Sequence, residues 1–351
     1  MTPKYLVTIA FLCLLIALPV GLFVNARAQK TSNPRDGKKP VLTNYRISGP
    51  YTHKNLTVFL VHGKDLLPGR NFLTLQEALA QKKVRVYETK DVNELAIRNF
   101  SNQDVYVQAG DIVRGGEQDR MISVDFIVPP RSGRMPIGAY CVESGRWNRR
   151  GNEAPATFSS SENFASSKEL KLAAKSAQSQ DAVWKNVSTV QAKLTENTTV
   201  EVRSSVSESS LELSVENAKV KETTAAYINA LSGILRNKND VIGYVFAING
   251  KVNSADVYAS RALFAKLWPK LIKANAVEAL AELQKDLEIK PVSDETVKTF
   301  LSESVEPAAS AKDVTARVKL VTREDDKNAF FETQDRSQRD GWVHRNYIKK
   351  Q

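Results

Sequence analysis

Asn249-Gly250, set between VIGYVFAI and KVNSADVYAS, constrains the chain more than any other dipeptide in it. A two-residue hairpin turn needs positive φ at both central positions, and asparagine followed by glycine tolerates this well. The flanking runs are therefore predicted to be adjacent antiparallel strands. Other strands are predicted towards both ends of the chain. In NLTVFLVH (55–62), Leu56, Val58 and Leu60 face one way and Thr57, Phe59 and Val61 the other, which predicts a strand buried on both faces. VRVYET (84–89) predicts another strand. LAIRN (95–99) and DVYVQ (104–108) predict a hairpin around FSNQ, and residues 314–322, 329–333 and 342–348 predict three closing strands.

Helical periodicity fills the middle. Thr74 and Glu77 have the spacing of a capping box, in which each side chain satisfies the other's free backbone N–H. Trp184, Val187, Gln191 and Leu194 recur at three and four, as do Tyr227, Leu231 and Leu235. Residues 260–274 predict an amphipathic helix that Pro269 kinks or restarts, followed by helices over 276–287 and 295–301. Residues 148–180 begin as a loop or lid, with helix from about Lys168. Strands at both ends of a helical middle, without regular βαβ alternation, predict an α+β fold with mostly antiparallel sheet. A composition with 42% hydrophobic and 25% charged residues excludes wholesale disorder.

Lys4, the uncharged apolar run of residues 5–24 and the Ala26-Arg27-Ala28 step predict an export signal over residues 1–28. An uncleaved membrane anchor is the alternative, because the run approaches the roughly 20 residues that span a bilayer. Residues 29–44 read as a linker and 45–350 as one domain. With the signal removed, Cys141 is the sole cysteine, so no internal disulfide is expected. The net charge of +11 is uneven: residues 29–154 hold 20 basic and 13 acidic side chains, residues 155–351 hold 28 and 26. No basic strip interleaves with aromatics, so nucleic acid is not an expected partner. His53, His62 and His344 make no metal spacing, no cofactor motif is found, and oligomeric state is left open.

Chemistry concentrates in residues 110–147, GDIVRGGEQDRMISVDFIVPPRSGRMPIGAYCVESGRW. Two alternating runs, 121–128 and 136–142, flank a turn-like PPRSGR and predict an antiparallel hairpin. Such a hairpin brings Gly115, Gly116, Glu117, Gln118, Asp119 and Arg120 beside Glu143, Ser144, Gly145, Arg146 and Trp147. It carries Arg131 and Arg134 roughly 20–25 Å away, at about 3.3 Å per residue. From Arg114 to Arg150 there are seven arginines and no lysine. Guanidinium forks match carboxylate or phosphate, and Gly115-Gly116 lets backbone N–H groups approach an anion closely.

Three readings are open for this end of the hairpin. In the first, Glu117, Asp119, Asp125 and Glu143 pair with the arginines as scaffold. In the second, Gly115, Gly116, Gln118, Arg120 and Arg146 bind an anionic small molecule on which Trp147 stacks. In the third, Glu143 with Glu117 or Asp119 shares acid/base work in a hydrolase. Cys141 shares a face with Ile137 and Ala139 and reads as a buried thiol, with a nucleophile as the alternative. His344, in WVHRNY, reads as a core histidine that could instead reach the site.

GDIVRGGEQDRMISVDFIVPP, IGAYCVESGRW, IGYVFAINGKVNSADVYASRALFAKLWPKLI and WVHRNYI resemble the ARPP domain, the ARG and rhodanese-phosphatase-superfamily-associated protein domain, over residues 45–348. The matching motif positions are Gly116, Gln118, Arg120, Cys141, Glu143, Gly145, Arg146 and Trp147. Asp119 departs from the asparagine of many members and adds a negative charge. The family's association with ADP-ribosylglycohydrolase and phosphatase proteins implies a phosphorylated or ADP-ribose-like ligand. Export strains that implication, since free nucleotides are scarce outside the cytoplasm. The resulting expectation is an exported domain binding an anionic small molecule, set against a hydrolase or a structural or interaction protein of the envelope.

Overall fold

The computed structural model describes residues 45–146, 158–338 and 341–351. The stretches expected to be an export signal and a linker (residues 1–28 and 29–44), and Trp147, Arg149 and Arg150, lie outside them. The fold is α+β with mostly antiparallel strands. Eight strands form one sheet in the order Arg46–His53, Leu56–His62, Val241–Ile248, Lys251–Tyr258, Trp342–Lys349, Asn328–Asp335, Val318–Glu324 and Ala309–Asp313. Asn249 and Gly250 take φ of 53° and 74°, and Ile248 pairs with Lys251 across them. The hairpin thus joins the N-terminal strand pair to the C-terminal strands. Leu56–His62 is buried along its whole length, as its two apolar sets predict.

The helix Arg261–Ala281 packs against this sheet and against the helices Gln180–Thr198 and Ala218–Leu231. It runs through Pro269 as one helix, and the helix expected over 276–287 is its continuation, ending at Ala281. Fifteen of its 21 residues are buried. Burial on so many sides outweighs the roughly 3 kcal/mol that an interior proline costs.

A six-stranded sheet runs Phe158–Phe164, Asp111–Gly115, Arg120–Ile122, Met135–Cys141, Glu94–Asn99 and Val84–Glu88. A three-stranded sheet joins Leu73–Thr74, Val105–Val107 and Phe126–Val128. The capping box forms: Thr74 Oγ1 accepts from the Glu77 N–H at 3.1 Å, and Glu77 Oε2 from the Thr74 N–H at 2.9 Å.

Three expectations fail here. LAIRN and DVYVQ are strands but not partners; the first joins the six-stranded sheet and the second the three-stranded one. The Asn99 amide fixes that crossover by donating to the carbonyls of Gln103, Val128 and Pro129 at 2.7, 3.2 and 3.1 Å. The run 121–128 is also divided. Arg120–Ile122 pairs with Met135–Cys141, while Phe126–Val128 leaves for the small sheet. Finally, the described part of the supposed loop contains an edge strand, Phe158–Phe164, on Asp111–Gly115. The helix after it is broken into Lys168–Leu172, a π turn over Ala173–Ala177 and Gln180–Thr198, with Gln178 at φ 49°.

Candidate functional site

The register of the six-stranded sheet decides what meets. Cys141 lies opposite Arg120, and Arg120 opposite Val113. The two ends of the 110–147 stretch therefore converge, although the hairpin between them is divided. The Val142 N–H donates to the Asp119 carbonyl at 3.0 Å, and the Asp119 N–H to Glu143 Oε2 at 3.3 Å. Gly115 and Gly116 turn the loop at φ 116° and 58°. A Cβ at Gly116 would stand 2.5 Å from the Phe158 ring, so only glycine fits.

What this loop binds is the protein's own carboxylates. The Gly115 N–H donates to Asp119 Oδ1 at 3.0 Å, and the Glu117 N–H to Glu88 Oε2 at 3.4 Å. Arg146 Nη2 meets Glu143 Oε2 at 2.7 Å and Asp119 Oδ1 at 3.7 Å. Arg114 reaches Glu216 at 2.7 Å and Glu212 at 3.9 Å, and Ser161 Oγ donates to Glu212 Oε1 at 2.5 Å. Asp119, Glu143 and Glu212 are all buried. Burial alone would raise Glu143, but hydrogen bonds from Arg146 and Ser207 and the Arg146 charge hold it below the ordinary carboxylate range. Glu212 moves the other way: burial raises it, Asp119 adds to the effect, and Ser161 and Arg114 offset only part. One cluster thus contains a carboxyl group held below its ordinary range and another raised above it.

Other residues singled out from the sequence are placed differently. Arg120 is fully buried and meets the loop only through Glu88, whose other oxygen accepts from the Glu117 N–H. Its guanidinium donates to the carbonyls of Val92 and Asp91 at 2.5 and 3.3 Å and to Glu88 Oε1 at 3.1 Å. Arg120 opens its strand while Asp119 ends the loop before it, and the fully buried Arg120 guanidinium acts as an internal tie. Gln118 is buried, with no hydrogen-bond partner among the described residues at either side-chain polar atom. Glu117 is half-buried and enters through its backbone N–H alone. Cys141 is buried, and burial pushes its thiol up to about 11, the behaviour of an inert core cysteine.

His344 and Asp125 belong to a separate network. The His344 ring nitrogens lie 2.6 Å from Asp125 Oδ2 and 3.0 Å from Asp256 Oδ1, and the ring stacks on Tyr258 at 4.5 Å. Burial would lower the histidine, but the two aspartates outweigh it and raise it. Both aspartates are held below the ordinary range despite burial, chiefly by His344. Asp125 is therefore not an arginine partner, and His344 has no hydrogen bond to the acid–arginine cluster.

Arg146 also forms part of the wall of an open groove of about 500 Å³, with Ser144, Gly145 and residues 206–209 opposite. An adjoining hollow of about 220 Å³ shares Ser144, Glu208 and Ser209 and adds Trp184, Gln191 and Arg203. The Trp184 Nε1–H is buried there without a partner among the described residues.

A family model for the ARG and Rhodanese-Phosphatase-superfamily-associated Protein domain, ARPP-1, matches residues 44–348. The chain belongs to the ARPP-1 family. No curated protein and no solved structure matches it. The ARPP-1 match takes in the acid–arginine cluster, the groove and the large sheet alike. Among the described residues of this ARPP-1 domain, no three His, Cys, Asp or Glu are grouped as metal ligands would be, and no helix is long and apolar enough to cross a membrane. Sequence reasoning missed Glu88, Ser161, Glu212 and Glu216. They arrive through pairings remote in sequence, such as Arg114 with Glu216 across 102 residues, which local periodicity does not carry.

Proposed function

We propose that this ARPP-1 protein is an exported binding module for an anionic, phosphate-bearing small molecule, held in the groove between residues 144–146 and 206–209. Arg146 carries the reading. Glu143 and Asp119 hold its guanidinium from inside, while 11% of the side chain remains exposed and lines the groove. An arginine positioned in this way loses little rotamer entropy when a ligand arrives. Arg203 supplies a further donor in the adjoining hollow, and Trp184 offers an indole face and N–H there, while the Ser209 hydroxyl is engaged with the Ser144 carbonyl at 2.5 Å and Ser207 with Glu143. Arg120 has no part in this version of the site.

The test is a thermal-shift titration with inorganic phosphate and with ADP-ribose. Arg146→Lys keeps a charge and loses the fork, so the ligand-induced rise in Tm should vanish while the unliganded Tm stays within a few degrees. Collapse of the unliganded fold would make the cluster a scaffold. Arg203→Gln, at a partly exposed position, should weaken the shift without touching the fold.

A second reading, hydrolysis, is favoured by the opposite displacement of Glu212 and Glu143. Glu212 would donate a proton to a leaving group, and Glu143 or Asp119 would take one from water. Glu212→Gln keeps an acceptor for Ser161. If it folds, binds ADP-ribose and still hydrolyses an ADP-ribosyl ester at the wild-type rate, this reading is lost.

A further inference from the structure

The Asn249-Gly250 turn, the C-terminal half of the helix Arg261–Ala281 and the chain after it border a half-open cavity of about 470 Å³. It shares no lining residue with the groove at Arg146. Glu278 lies on its wall, with 1% of its surface exposed. Its Oε1 is fully occupied, accepting from the Asn253 amide at 2.8 Å and from the Lys168 N–H at 3.0 Å. Its Oε2 has no hydrogen-bond partner among the described residues. That oxygen keeps its accessible surface on the cavity side, and a carboxylate oxygen in so confined a place, on a residue otherwise buried, is a strong acceptor for whatever enters.

The rest of the lining narrows the occupant. Ile248, Val252 and Leu287 supply an apolar wall. Glu169, Glu282 and Glu288 add carboxylates, of which Glu282 is already met by Lys193 at 2.6 Å. Lys251 and Lys290 are exposed, and Lys168 lies 4.0 Å from Glu169. An anion would be repelled at Glu278, and a purely apolar molecule would leave Oε2 unsatisfied. We propose that this cavity is a second small-molecule site, for a primary amine on a short aliphatic chain, whose ammonium donates to Glu278 Oε2 while its carbons lie against Ile248, Val252 and Leu287.

Such binding is linked to a proton. Burial pushes Glu278 up to about 7, against the charge of Lys171 and its two hydrogen bonds. The groups around it are Lys168, Glu169 and Lys171 on the helix Lys168–Leu172, Asn253 and Tyr244 on the hairpin, and Glu282 one turn further along its own helix. Tyr244 is held well above its ordinary value by burial and stays neutral. An ammonium favours ionised Glu278, so at acidic pH its entry must release a proton.

The experiment is calorimetric titration of the full chain with 1,4-diaminobutane and with propylamine at pH 6, 7 and 8, in buffers of different ionisation heat. One site is expected, with Kd about tenfold weaker at pH 6 than at pH 8 and proton release at the lower pH. Glu278→Gln retains an acceptor for Asn253 and Lys168 and should lose binding. Leu287→Arg, at a position 41% exposed, should lose it with an unchanged Tm, and decides the matter if the first variant fails to fold. A Kd that is flat from pH 6 to 8, wild-type affinity in folded Glu278→Gln or in Leu287→Arg, or no saturable heat with either amine up to about 10 mM would overturn the proposal.

Discussion

His344→Gln tests the buried network most directly. The imidazole bridges two aspartates that are both fully shielded from solvent. Asp125 keeps neutral donors when the histidine goes: Tyr106 at 3.0 Å, Thr333 at 2.9 Å and the Ala109 N–H at 2.7 Å. Asp256 keeps Asn346 at 2.9 Å and Tyr244 at 3.1 Å. What is lost is the cation between them. Two hydrogen bonds to charged groups at about 1.5–3 kcal/mol each give about 3–6 kcal/mol, in line with the roughly 3–5 kcal/mol lost when one partner of a buried ion pair is removed. At about 2–4 °C per kcal/mol, Tm should fall by roughly 6–24 °C. The pH dependence follows from the signs. His344 is raised above its unfolded value of about 6.5, so its contribution is full below that pH and fades as pH rises through the folded value. The aspartates are lowered, so theirs is full above about 3.9 and fades as pH falls towards the folded values. The network is thus most stabilising between about pH 4 and 6.5. Urea unfolding followed by circular dichroism from pH 5 to 9 measures the gap between wild type and variant. A loss below about 1 kcal/mol at pH 6 would refute the reasoning, as would a gap that grows steadily to pH 9. His344→Leu combined with Asp125→Asn and Asp256→Asn should recover only part of the loss, because neither aspartate charge is then stranded but buried Lys175 loses the two carboxylates that support its charge.

Two further predictions concern the 110–147 stretch. Cys141 should resist iodoacetamide at pH 8 in the folded protein and react once it is unfolded in urea; rapid native labelling, read by intact mass, would contradict its burial and its raised thiol. Arg120→Lys loses the fork that joins Glu88 to the Val92 carbonyl and should destabilise by about 1.5–3 kcal/mol, yet leave the phosphate response of the surviving folded protein unchanged. A selective loss of that response would return Arg120 to the ligand site.

The features legible in the sequence were those governed by local rules. Asn249-Gly250 specifies a turn by its backbone angles, and Thr74 with Glu77 specifies a cap by spacing. Period-two alternation correctly brought Asp119 beside Glu143. The same alternation misled at residues 123–125, where the strand breaks. There the decisive partner of Asp125 is a histidine 219 positions away, and no local pattern announces it. Arg120 was misread because charge type was weighed without burial. Of the two readings of Pro269, the restart fails because its local cost was weighed without the packing around its helix.

The large sheet also places a demand on the order of assembly. Trp342–Lys349 is the last strand in the chain but sits inside the sheet, between Lys251–Tyr258 and Asn328–Asp335. Until it arrives, two edges stand open with unpaired backbone groups, and Asp125 and Asp256 have no cation between them. Pairings of such long sequence separation form slowly, and unpaired edges invite association with other chains. The incomplete chain is therefore the aggregation-prone species, and the strand that ends the hazard also delivers His344.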